Sequence, residues 1–155
     1  MRRFSRIFAW TTLFFVAGAV LFFTKAAALP YKVAWPVLLL SLATFLSRRR
    51  ELLPFGFAFL FSAAGDAVGA RGLFIPQMAF FALAHVAYVC WFLPRARRRL
   101  RAVSLAVTVP LLVFLFAAIV PEAPFPAERI GVAVYGLVIA AMLYSALQYD
   151  WACAA

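Results

Sequence analysis

Three side chains on two neighbouring apolar runs could do chemistry: Asp66, His85 and Tyr88. Asp66 sits in Phe57-Ala-Phe-Leu-Phe-Ser62-Ala-Ala-Gly65-Asp66-Ala-Val-Gly69, a stretch otherwise suited to a lipid bilayer. An ionisable group at membrane depth costs about 3 kcal/mol or more unless it is paired, protonated or facing water. Such groups handle protons or mark an ion path, and the next apolar run holds the chain's one histidine, His85, with Tyr88 three residues on. Ser62 and Asp66 are four apart and share a helix face, with Gly65 and Gly69 beside it. Small residues there let a neighbouring helix come close, so that Asp66 would face protein. In the next run Gln77, Phe81, His85 and Tyr88 again fall on one face.

A bland reading stands beside each. Asp66 could be a structural acceptor, or an interfacial residue paired with Arg71. His85 could bond across helices as glue. Tyr88 alone is packing. Ser62 is expected to bond the carbonyl four residues back, as serines in spans do.

These residues need helices to hold them. With 155 residues, 68% hydrophobic and a mean hydropathy of +1.01, the chain has more apolar side chain than a soluble domain of this size can bury. Lipid must be its solvent. Backbone in lipid must satisfy its own hydrogen bonds, and the alternation of barrel strands is absent, so helices are expected. Six apolar segments follow: about 7–23, 33–47, 53–69, 76–93, 102–120 and 129–147. A span takes roughly 20 residues, so the second is short and must borrow Pro30-Tyr31-Lys32 or snorkelling ends. The fold expected is an all-α, polytopic transmembrane helix bundle of about six spans, in one transmembrane domain. Pro54 and Pro76 suit first turns, and Pro110 should kink the fifth span.

The basic residues orient it. Eleven (Arg2, Arg3, Arg6, Arg48 to Arg50, Arg95, Arg97 to Arg99 and Arg101) fall on one side, against four (Lys25, Lys32, Arg71 and Arg129) on the other. The positive-inside rule then puts both termini and the arginine loops in the cytoplasm of a multi-pass protein of the cell (inner) membrane. The same placement argues against nucleic acid as the partner of the +10 charge. Met1-Arg-Arg-Phe-Ser-Arg6 with Ala26-Ala-Ala28 resembles a secretory signal. The apolar run after it is too long for that, and a retained first span is preferred. Cys90 and Cys153 have neither metal-ligand nor disulfide-framework spacing.

A loop of about six residues would make the third and fourth segments antiparallel neighbours. Asp66 would lie about 5 Å from the end of its helix and His85 about 13 Å into the next, at 1.5 Å per residue. Contact between them would need a later start to the fourth helix, a tilt or a bridging water. Gln77 or Arg71 is the easier partner for Asp66, and the group reads as a pocket opening to the non-cytoplasmic side.

Ser62-x-x-Gly65-Asp66 followed by Ala79-Phe-Phe-Ala-Leu-Ala-His85-x-x-Tyr88 resembles the lysoplasmalogenase (YhhN-like) family of integral membrane proteins. Val134-Tyr-Gly-Leu-Val-Ile-Ala-Ala-Met142 looks like a later span of that family. The resemblance covers roughly residues 30–147. It implies hydrolysis of the vinyl ether bond of a lysoplasmalogen to a fatty aldehyde and a glycerophospho-alcohol, with no metal or organic cofactor. Asp66 would be the proton donor, His85 and Tyr88 would orient water or the headgroup, and Ser62 and Gln77 would line the substrate site. A membrane lipid or lysophospholipid is then the partner, and a homodimer is left open.

The family also carries a second aspartate, in a Ser-Asp pair of a further span. No such span follows here, and Asp150 lies past the sixth segment, so that role is not given to it. Lys32 and Pro36 are separated where the family tends to join lysine to proline. The chain is thus expected to be a truncated or divergent member. Two other functions remain open: a proton-linked small-molecule transporter with Asp66 and His85 as relay, or a non-catalytic membrane protein. No inverted repeat or pair of broken helices supports the transporter.

Overall fold

A computed structural model describes residues 10, 12–20 and 32–149. Arg2, Arg3, Arg6, the Ala26–Ala28 stretch, Asp150, Trp151 and Cys153 lie outside the described residues. Those described are helical and contain no strand, so the chain is an all-α helical protein. The helices are α1 (12–20), α2 (Trp35–Leu46), α3 (Leu53–Gly69), α4 (Phe74–Phe92), α5 (Arg101–Phe114) and α6 (Pro126–Leu147).

Among the described residues, four helical stretches are long and apolar enough to cross a membrane: Arg50–Gly69, Phe74–Arg95, Arg98–Glu122 and Pro126–Leu147. Helix α2 has 12 residues, about 18 Å at 1.5 Å per residue, well short of a bilayer core of about 30 Å. A 3-10 turn, Lys32–Ala34, extends it at its N-terminus. Even with that turn the stretch is shorter than the bilayer core, and Pro30 and Tyr31 lie outside the described residues.

Prolines and turns set most boundaries. Pro36, Pro54 and Pro126 occupy the first positions of α2, α3 and α6, where the missing N–H would have had no partner within the helix. Only the four residues 70–73 separate α3 from α4, not about six, because α4 begins at Phe74, two residues before the expected Pro76. Gly72 makes this tight link possible at φ +73°, with open space where a Cβ would stand. The helix continues through Pro110, and the irregularity comes later, as a π-helical turn at Leu115–Ile119. The first residue of that turn, Leu115, packs against Gly136 of α6 so closely that a Cβ there would collide with it.

Contacts divide the chain into two compact units, Met1–Phe80 and Phe81–Ala155. In the first, α2 packs on α3. The Ser41 hydroxyl donates to the Gly56 carbonyl at 2.9 Å, both residues being buried. Gly56 has no side chain because the Phe45 ring occupies the place, 2.8 Å from an added Cβ. In the second unit, α5 packs on α6. Arg97 N–H donates to Gln148 O at 2.9 Å, and Tyr149 packs against Trp91 and Phe92 at centroid distances of 5.1 and 5.8 Å. The C-terminal ends of α4 and α6 therefore meet.

The α2–α3 contact makes a graded prediction. Ser41→Ala should cost about 0.6 kcal/mol, typical of a hydrogen bond between membrane helices. Gly56→Val forces a branched side chain into the Phe45 ring and should cost more, about 1–3 kcal/mol. Reversible unfolding in mixed micelles measures both. Equal losses would mean that ring contact does not control the helix approach.

Candidate active site

Helix α3 carries Ser62, Gly65, Asp66 and Gly69 near its C-terminal end. Its buried positions are Gly56, Ala58, Ala63 and Gly65, all of them small. Small residues bring neighbouring backbone close and leave the longer Asp66 half-buried beside them. Among the described residues, the Asp66 carboxylate makes no hydrogen bond and no ion pair. Arg71 therefore does not pair with it. Ser62, one turn earlier, is half-buried and does not form the expected bond to the carbonyl of Ala58.

Gln77 has another neighbour than the one expected. Its amide lies over Gly69, with Cδ 2.5 Å and Oε1 2.7 Å from the place of a Cβ there. The four-residue link folds the first turn of α4 back onto α3, and Gly69 leaves the space that the Gln77 side chain fills. Gly69 thus serves this link, three residues after Asp66. Ser62, Asp66 and Gln77 all belong to the first unit.

His85 and Tyr88 belong to the second unit. The earlier start of α4 puts His85 eleven residues after Phe74, about 16 Å along the helix rather than 13 Å. Its Nδ1 lies 2.6 Å from the Phe81 carbonyl oxygen one turn back. The imidazole meets two tyrosines edge to face: Tyr88 with centroids 6.2 Å apart and Tyr135 of α6 at 5.7 Å. Tyr135 was not among the residues expected at a site. Its segment, Val134-Tyr-Gly, carries part of the family resemblance, but a half-buried tyrosine in an apolar run reads as packing until the helix facing it is known. Among the described residues, no three of His, Cys, Asp and Glu gather as metal ligands would.

The YhhN family model matches residues 28–155, most of the chain. The chain belongs to the YhhN family. Both motif halves, Ser62 to Asp66 and His85 to Tyr88, fall inside the matched region. The four long apolar helices make this YhhN member a membrane protein. No curated protein and no solved structure matches the chain.

The contact between Gly69 and Gln77 can be tested apart from function. Gly69→Ala should displace the Gln77 amide, and the two changes should not add. A double-mutant cycle with Gln77→Ala should show coupling of about 0.5 kcal/mol or more, as for residues in contact. Additive unfolding free energies would place the Gln77 side chain away from Gly69.

Proposed function

We propose that this YhhN protein is a lysoplasmalogenase-like membrane hydrolase that cleaves the vinyl ether bond of a lysophospholipid. The observation that carries the reading is the family match over residues 28–155 in a chain whose α3 holds a carboxyl group without a protein partner among the described residues. A paired carboxylate would be occupied. An unpaired one is available to a substrate.

The proposed chemistry uses one proton and one water. Asp66 donates its proton to the vinyl carbon remote from the ether oxygen. The π electrons form the new C–H bond, and an oxocarbenium ion develops at the carbon bearing oxygen. Water adds to that carbon and returns a proton to the Asp66 carboxylate. The resulting hemiacetal collapses, breaking its bond to the glycerol oxygen, which takes the hydroxyl proton. The products are a fatty aldehyde and a glycerophospho-alcohol. His85 and Tyr88 are proposed to orient water or the headgroup, and Ser62 and Gln77 to contact the substrate. These roles rest on the sequence pattern. The proposed setting is the cell inner membrane with the arginine loops cytoplasmic, supported by the distribution of basic residues.

Aldehyde release from a lysoplasmalogen by the purified protein is the test. Asp66→Asn, which keeps the shape and loses the acid, should slow release by about 100-fold or more, the usual worth of a general acid. An ester-linked lysophospholipid should yield no aldehyde. Unchanged release by Asp66→Asn would remove Asp66 as the acid, and no release by the wild type would remove the reaction.

A further inference from the structure

His85 is the one histidine of the chain, and one edge of its ring is already committed. Nδ1 lies 2.6 Å from the Phe81 carbonyl oxygen. A carbonyl oxygen only accepts, so Nδ1 carries the hydrogen and donates it. In the neutral ring, Nε2 then holds the lone pair and is the nitrogen open to another molecule. A single hydrogen bond does not fix the plane of a ring, because the imidazole can still turn about it. Two tyrosines restrict that turning. Their rings stand nearly perpendicular to the imidazole, at 81° for Tyr88 and 83° for Tyr135. Tyr88 lies one turn further along α4 and moves with His85. Tyr135 comes from α6 and ties the ring to a second helix.

We propose that Tyr135 is a positioning residue for His85, holding the imidazole as the Nδ1–H tautomer with Nε2 as its free nitrogen. The proposal rests on the hydrolase reading only for what Nε2 meets; the tautomer and its dependence on Tyr135 are independent of that reading. The aromatic ring of Tyr135 does the holding, since the contact is ring edge to ring face. Phenylalanine should therefore replace it, and an aliphatic side chain should not.

Because there is one histidine, its imidazole gives a single pair of nitrogen signals that needs no assignment. Long-range proton–nitrogen correlation on full-length protein labelled with 15N-histidine, at a pH where the ring is neutral, reads the tautomer directly. The wild type should show Nδ1 protonated and Nε2 unprotonated. Tyr135→Phe should keep that spectrum. Tyr135→Leu should give a mixture of tautomers and, with lysoplasmalogen as substrate, a kcat lower by about tenfold to a hundredfold with KM changed much less, as displacement of a positioned group does. Nε2 protonated in the wild type would overturn the proposal without any variant being made. So would a wild-type spectrum from folded Tyr135→Leu. Should that variant not fold, the wild-type and Tyr135→Phe spectra decide: a tautomer changed by the phenylalanine overturns the role given to the ring. A spectrum as expected in a protein that releases no aldehyde would remove the hydrolase reading and leave the positioning of His85 standing.

Discussion

A backbone in hydrocarbon has no water to bond, so each N–H and C=O must find its partner inside the helix. Everything else in this chain is shaped by that requirement. It makes helix the one form the apolar segments take, and it reverses the usual distribution of side chains. The most buried residues include Ser41, Ser104 and Ser145, together with alanines such as Ala58 and Ala84. Large side chains such as Leu46, Val113 and Ile130 are exposed. With no hydrophobic gain from hiding leucine from lipid, helices come together where side chains are small. Gly56 under Phe45, Gly69 under Gln77 and Gly136 under Leu115 are three cases of the same rule, each a gap filled by one side chain of a neighbouring segment.

The same rule governs hydroxyl and amide side chains. Thr44 bonds the carbonyl of Leu40, Ser104 that of Leu100 and Ser145 that of Met142, while the Gln148 amide bonds Tyr144 O. Each donates to its own helix one turn back. In that way it hides a donor that lipid cannot satisfy. Such bonds leave little free for chemistry. Ser41 is the variation, sending its donor across to α3 and so joining two helices.

Much of this was legible in the sequence because lipid imposes a length and a polarity. The bounds of α3 follow from where apolar residues stop, and Asp66 and His85 stand out because few polar groups interrupt the runs. What depended on contacts between helices was not legible. Gln77 looked like a partner for Asp66 because both lie near a turn. The short link at residues 70–73 instead lays its amide on Gly69, which depends on the backbone of Gly72. Tyr135 was hidden for the same reason, since nothing in Val134-Tyr-Gly says that a histidine faces it. Ser62 was expected to bond its own helix as Ser104 and Ser145 do, and it does not.

That last difference suggests how to separate structural from functional polarity in a membrane helix. A side chain whose donor is returned to its own backbone serves the helix, and one left without such a bond has capacity for something else. By this measure the first unit offers Ser62 and Asp66, one turn apart on α3. Thr108 shows that the criterion is not sufficient alone. Its hydroxyl is buried without a partner among the described residues, yet α5 carries neither motif. His85 combines both conditions in one ring. Nδ1 is spent on Phe81 and gives up its freedom, which is why Nε2 has a defined direction and a defined protonation state. A histidine with both nitrogens free could take either tautomer, and one with both bonded could meet no substrate. One bonded nitrogen, one open nitrogen and edge-to-face contacts with tyrosines of two helices form the arrangement in which an imidazole can hold a water or a headgroup in a fixed place.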